Sequence, residues 1–162
     1  MSPRSVLRCL LALLLVLSAS SALAQMPNPY GAPISLENAK KAAAGALAEA
    51  RKINWPMAVA VTDTAGDLIY FEKMDGNQTG SVNLSIAKAR SAALYKRPTK
   101  VWADLVGAGG DNLRLMALQG IVPSNGGIPL VMDGKIVGAI GASGGTGAQD
   151  GQCAEAGANS VK

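Results

Sequence analysis

The chain has 162 residues, enough for one domain with a substantial hydrophobic core. Fifteen Lys and Arg against eleven Asp and Glu give a net charge of +4, but the basic residues are not clustered with aromatics, so nothing indicates nucleic-acid binding. The sequence contains no histidine, which excludes a Ser-His-Asp triad and any histidine-ligated metal.

The first 24 residues are typical of a secretory signal peptide. Two arginines precede an apolar run, Leu10–Leu17, and Ala22-Leu23-Ala24 offers an A-x-A cleavage site. That run is too short to span a bilayer, so we expect a soluble product, without a membrane anchor after cleavage, in the periplasm or outside the cell. An N-terminal arm with three prolines is expected over residues 25–34, and one domain over residues 35–162.

The first half of the domain predicts a helix, a hairpin and a second helix. Ser35 is positioned to cap an alanine-rich helix that follows it. A turn at Asp63–Gly66 separates two runs of strand-forming residues, and Pro98 limits the second helix. The expected elements are the helix Leu36–Lys52, the strands Met57–Thr62 and Asp67–Lys73, and the helix Ser81–Tyr95.

The second half predicts short helical turns, a three-stranded meander and a terminal helix. Asp133-Gly134 between alternating apolar residues is typical of a tight hairpin. The expected helical turns are Val101–Val106 and Asn112–Gln119, the strands Ile121–Pro123, Ile128–Met132 and Lys135–Ala142, and the helix Ala148–Ala158. Tight turns between neighbouring strands favour an α+β fold with an antiparallel five-stranded sheet and helices on one side, a single pair of layers.

A glycine-rich turn leads from the last predicted strand into the terminal helix. Gly144 and Gly145 precede Thr146, which forms a capping-box pattern with Gln149. Bare backbone at a helix N-terminus can cradle an anion. The alternative is that these glycines only permit a sharp reversal of the chain.

The Ser81–Tyr95 helix carries a polar stripe of Ser81, Ser85, Lys88, Ser91 and Tyr95, because successive residues advance by about 100°. The stripe is either solvated surface or a pocket wall on which Lys88 meets an anionic group and Tyr95 packs against a flat ring. Arg90, nearly opposite Lys88, and Arg97 are candidates for a subunit interface, a carboxylate clamp or ordinary surface salt bridges.

Little points to metal or redox chemistry. The acidic residues are scattered over predicted turns, and no metal site is predicted. Only Cys153 would survive removal of the leader, so an intramolecular disulfide is excluded. Cys153 is either a buried small hydrophobe or, near the start of a helix, an intersubunit or redox thiol.

Three segments resemble one known family in the same order along the chain. They are Ala58–Gly76, Ala87–Thr99 and Gly126–Asp150, the last reading GGIPLVMDGKIVGAIGASGGTGAQD. The chain is similar to the HbpS-like, GlcG-type haem-binding or haem-degrading domain family. The resemblance implies a profilin-like fold, assembly into oligomers and association with haem or related tetrapyrroles. Without histidine, haem would need Tyr, Met, Lys, a hydroxyl, the single thiolate or no protein ligand.

The predicted binding pocket lies between the polar stripe and the turns Ser124–Gly127 and Ser143–Thr146. These elements would offer cations, hydroxyl groups and bare backbone amides to a small planar or anionic ligand. The candidate ligand-binding residues are Lys88, Tyr95, Arg90, Arg97, Ser124, Gly126, Gly127, Ser143, Gly144, Gly145 and Thr146.

The function predicted on this basis is an exported homo-oligomer that binds haem or a related tetrapyrrole. One alternative is a cofactor-independent isomerase or lyase acting on a small oxyacid, with Lys88 or Tyr95 as general base. Another is an accessory structural oligomer of an exported oxidation system. The absence of histidine and of a carboxylate pair favours binding without turnover.

Overall fold

The computed structural model describes residues 27–162, so the predicted signal peptide lies outside the described residues. The helices and strands follow the predicted order along the chain, apart from one strand. In order they are α1 (Leu36–Lys52), β1 (Ala58–Thr62), β2 (Leu68–Lys73), α2 (Ser81–Tyr95), α3 (Lys100–Gly107), a 3₁₀ helix (Gly110–Ala117), β3 (Gly127–Met132), β4 (Lys135–Ser143) and α4 (Gly147–Asn159). Within this range no helix is both long and apolar enough to cross a membrane.

The strands form an antiparallel sheet in the order β2-β1-β4-β3. The prediction of five strands is wrong, because Ile121–Pro123 does not form a strand. At that end of the sheet the outer edge of β3 bonds to Thr99 instead. The Thr99 amide donates to the Gly127 carbonyl at 2.9 Å, and the Gly127 amide donates to Thr99 Oγ1 at 2.9 Å.

Helices cover both faces of the sheet, so the prediction of a single layer pair is also wrong. Along β4, Ile140 and Ala142 belong to the core cluster shared with α1 and α4, whereas Ala139 clusters with Ala92 and Ala93 of α2. Every residue of β1 is buried, as is every residue of β4 after Lys135. Strands buried on both faces lose the alternation of polar and apolar residues that marks a half-exposed sheet.

Local signals define the helix ends. The Ser35 side chain accepts from the Asn38 amide at 3.2 Å and begins α1. Lys96 adopts a left-handed conformation, φ 55°, and ends α2 at the predicted position. Thr146 and Gln149 form the predicted capping box at the start of α4. These caps satisfy amide groups that the first turn of a helix leaves without partners.

The chain before α1 runs beside the start of β4, where β1 no longer pairs. The Gly31 amide donates to the Ile136 carbonyl, and the Ile136 amide to the Pro29 carbonyl, both at 2.8 Å. The Tyr30 hydroxyl donates to the Ala93 carbonyl at 2.7 Å, near the end of α2. The described part of the arm is therefore tied to both the sheet and a helix.

Candidate functional site

The polar stripe of α2 packs inward, and the solvated-surface interpretation is wrong. Ser81, Ser85, Lys88 and Ser91 are all buried, and Tyr95 is half-buried. The close approach of α2 to the sheet depends on glycine, because a Cβ at Gly141 would collide with the α2 backbone. The small serine side chains are consistent with this tight packing.

Lys88 is fully buried and forms an ion pair with Asp150. The Lys88 Nζ lies 2.6 Å from Asp150 Oδ2 and also donates to the Ala142 carbonyl at 3.3 Å. Since α2 and α4 pack on opposite faces, this side chain joins the two outer layers. It passes Gly126, where an added Cβ would lie 3.0 Å from the Nζ. Glycine at this position leaves room for the ion pair.

The glycine-rich turn binds a carboxylate, and that carboxylate belongs to the protein. The amides of Gly144 and Gly145 donate to Asp150 Oδ1 at 3.0 and 2.9 Å. Asp150 therefore neutralises Lys88 with one oxygen and accepts from the turn with the other. Sequence reasoning missed Asp150. Its only signal was an acidic residue in the first turn of a helix that follows the glycines.

The structure brings the stripe and the two predicted turns into direct contact. Ser143 is buried, and its hydroxyl donates to Ser81 Oγ at 3.2 Å. Ser124 is half-buried, while Thr146 is exposed and caps α4. Lys88 as ligand contact or general base would first have to leave Asp150. The predicted binding roles of these residues stay predictions.

Tyr95 and Arg97 lie at the other end of α2, beside Trp102. The Tyr95 ring meets the Trp102 ring edge to face, with centroids 5.3 Å apart, and the Tyr95 hydroxyl donates to the Gln119 carbonyl at 2.6 Å. The Arg97 guanidinium carbon lies 5.0 Å from the Trp102 ring centre. Arg90 is exposed and packs against Gly66 in the β1–β2 turn. The candidate residues thus occupy three separate places.

A groove of about 610 Å³ lies between α4 and the edge strand β3. Asn125 connects it to the predicted Ser124–Gly127 turn and packs its side chain against Gly151 of α4. The apolar lining residues are Pro98, Ile128, Pro129, Val131, Ala148 and Ala158, and the polar ones are Asn125, Gln152, Glu155 and Asn159. Sequence reasoning missed this groove because its residues come from three distant segments, none with a chemical motif.

Two lysines border the groove. Lys100, at the start of α3, pairs with Asp104 at 2.7 Å, and both side chains are more than half exposed. An exposed pair of this kind contributes little to stability, so Lys100 is free to exchange its partner for an anionic ligand. Lys162 follows the C-terminal end of α4, which ends at Asn159. Glu155 is the one carboxylate side chain among the lining residues.

Cys153 is on the inward side of α4 and does not line the groove. Burial, aided by the negative charges of Glu49 and Asp150, raises the pKa of its thiol to about 11. The thiol is therefore protonated near neutral pH, which supports the buried-hydrophobe interpretation over a redox thiol. Among residues 27–162 there is no group of three or more Cys, Asp or Glu side chains arranged to hold a metal ion.

Several known proteins are similar to this chain over most of its length. The chain is 39% identical over 110 residues to Protein GlcG of Escherichia coli K12, covering 68% of this chain and 81% of GlcG. A double mutant of HbpS from Streptomyces reticuli aligns with a TM-score of 0.74 at 29% identity, over 89% of this chain and 97% of HbpS. A crystallised complex of PduOC with haem aligns with a TM-score of 0.72 at 25% identity, over 80% and 96% of the two chains.

The match to a family model extends over almost the whole described fold. Residues 34–159 fit the model described as haem degrading protein HbpS-like, from the residue before the α1 cap to the end of α4. This range includes both predicted turns, the buried ion pair and most of the groove lining. The chain belongs to the HbpS-like family.

Proposed function

We propose that this protein is exported, self-associates and binds haem or a related tetrapyrrole in the groove between α4 and β3. The observation that carries the proposal is the composition of the groove, an apolar lining with a lysine at each of two borders. A tetrapyrrole is a flat apolar body with carboxylates on its rim, and small-ligand sites combine apolar walls with a few placed polar groups.

The residues present fit such a ligand. Ile128 and Val131 of the edge strand and Ala148 and Ala158 of α4 offer apolar contact to the ring. Lys100 and Lys162 are the partners for its carboxylates. A bound haem would supply redox and ligand-exchange chemistry at its iron, and the chain's part would be to hold the ring and limit its contact with water. The complex of PduOC with haem supports the same ligand class.

Titration of the purified, tag-free protein with haemin tests the proposal, with the absorption spectrum as the readout. Lys162→Met should weaken binding about three- to tenfold, because an ion pair formed by an exposed lysine that the ligand partly covers is worth on the order of 1 kcal/mol. Lys40→Met is the matched control, since Lys40 is exposed on α1 away from the groove. An absence of saturable haemin binding would refute the proposal.

Self-association is proposed to use an apolar surface on α3 and the following 3₁₀ helix. Leu105, Leu113, Met116 and Leu118 are each at least one-third exposed there. Contiguous exposed apolar patches commonly mark interfaces. Sedimentation at micromolar concentration should show an oligomer, and Leu113→Asp should shift it toward monomer. A wild-type protein that sediments only as a monomer would contradict this part of the proposal.

The proposal that the protein is exported rests on its N-terminal sequence, which has a basic start, an apolar run and an A-x-A site. The mass of the protein recovered from a periplasmic fraction or the medium should correspond to a chain that begins at Gln25. Retention of the uncleaved chain inside the cell would contradict it.

A further inference from the structure

We infer that the groove between α4 and β3 recognises the ring and the carboxylates of a tetrapyrrole, and that it does not select for iron. This inference rests on the proposed function and specifies its ligand class. Metal-free and iron-containing tetrapyrroles should bind with similar affinity.

The groove lacks the usual protein ligands of haem iron. Haem iron in proteins is held by imidazole, thiolate, thioether or phenolate groups. None of the residues that line the groove is His, Cys, Met or Tyr. Its two lysines, Lys100 and Lys162, are exposed, and an exposed ammonium group donates hydrogen bonds but has no lone pair for iron. Cys153, the nearest sulfur along α4, faces the core and carries a protonated thiol near neutral pH. Met132, the one methionine of β3, borders a separate cavity beneath the arm.

Glu155 is the only side chain lining the groove with a carboxylate that could ligate ferric iron. Glu155 is exposed on α4 and lies in the same groove as Lys162. Its negative charge opposes a ligand that carries carboxylates. If Glu155 held the iron, its removal would weaken haemin binding alone. If Glu155 only repels the ligand, its removal would strengthen the binding of the iron-containing and the metal-free tetrapyrrole equally.

Parallel titrations with haemin and metal-free protoporphyrin IX separate these cases, using the wild-type protein and Glu155→Gln. We expect the two dissociation constants of the wild type to agree within about threefold. We also expect Glu155→Gln to tighten both ligands by the same factor and to leave the spectrum of bound haemin unchanged. Since Glu155 is exposed, the variant should fold, and its thermal unfolding confirms this.

Two outcomes would overturn the inference while the proposed function stands. One is haemin bound more than about tenfold tighter than protoporphyrin IX by the wild type. The other is a selective loss of haemin binding in Glu155→Gln. If neither compound binds to the wild type, the proposed function itself fails.

Discussion

Lys88 has no contact with water, so the energy of its charge depends on Asp150. We expect Lys88→Met to lower the free energy of unfolding by about 3–5 kcal/mol, because it leaves a buried carboxylate without its cation. The double variant with Asp150→Asn should recover part of that loss. Urea denaturation of the two single variants and the double variant measures the coupling between the residues.

The matched control is Lys40→Met, which removes an exposed lysine from α1 and should change stability by less than about 0.5 kcal/mol. A loss below about 1 kcal/mol for Lys88→Met would mean that the ion pair does not hold α2 and α4 together.

The Cys153 thiol should be unreactive in the folded protein. Its pKa rises from 9.0 to about 11, first because of burial and then because of Glu49 and Asp150. Folding favours the protonated thiol, so the associated stability is complete below pH 9 and is lost as the pH rises toward 11. A thiol reagent at pH 8 should modify the native protein far more slowly than the urea-unfolded protein. Equal rates would contradict the buried placement.

At the scale of elements, the packing of α2 on β4 depends on Gly141. A Cβ there would meet the Ser85 carbonyl and would lie 2.6 Å from the Ala89 amide nitrogen. Because this steric conflict involves backbone atoms, Gly141→Ala should destabilise the protein by about 1–3 kcal/mol.

Gly107→Ala is the control for this substitution. Apart from the adjoining residues of α3, no atom lies within 4 Å of a Cβ at Gly107, at the end of that helix. We expect it to be neutral or to stabilise the protein by up to about 1 kcal/mol. Equal thermal unfolding of both variants would show that α2 can move away from the sheet at little cost.

Local signals predicted most of the elements, since they act over a few residues. The hairpin at Asp133-Gly134 is confirmed, and both residues have the positive φ that a tight turn of this type requires. The false strand at Ile121–Pro123 has suitable residues, but its Val122 amide donates to Ser91 Oγ of α2, a contact that competes with strand pairing. That competition depends on tertiary structure.

For the candidate site, too, local signals predicted the grouping of residues but not their tertiary contacts. Helical spacing correctly grouped Lys88 with three serines on one side of α2, all of which are buried. Nothing local indicated that this side meets the sheet, or that Lys88 pairs with a residue 62 positions away. The groove was also beyond sequence reasoning, because Lys100, Ile128 and Lys162 become neighbours only through the fold.

At the scale of the whole molecule, a ligand that binds only the folded state must raise its stability. If haemin occupies the groove, a concentration one hundred times its dissociation constant should add about 2.7 kcal/mol to the free energy of unfolding. Thermal unfolding at increasing haemin concentrations measures this effect. An unchanged transition at such an excess would contradict binding to the native fold.

The ion pair that joins α2 to α4 also bears on how the protein opens. In a three-layer domain, each outer helical layer can in principle detach from the sheet independently. Here, detachment of α4 would leave Lys88 inside the protein without its partner, and detachment of α2 would leave Asp150 without its partner. Amide hydrogen exchange under native conditions should therefore report one common opening free energy for α2 and α4. In Lys88→Met the two helices should exchange as separate units.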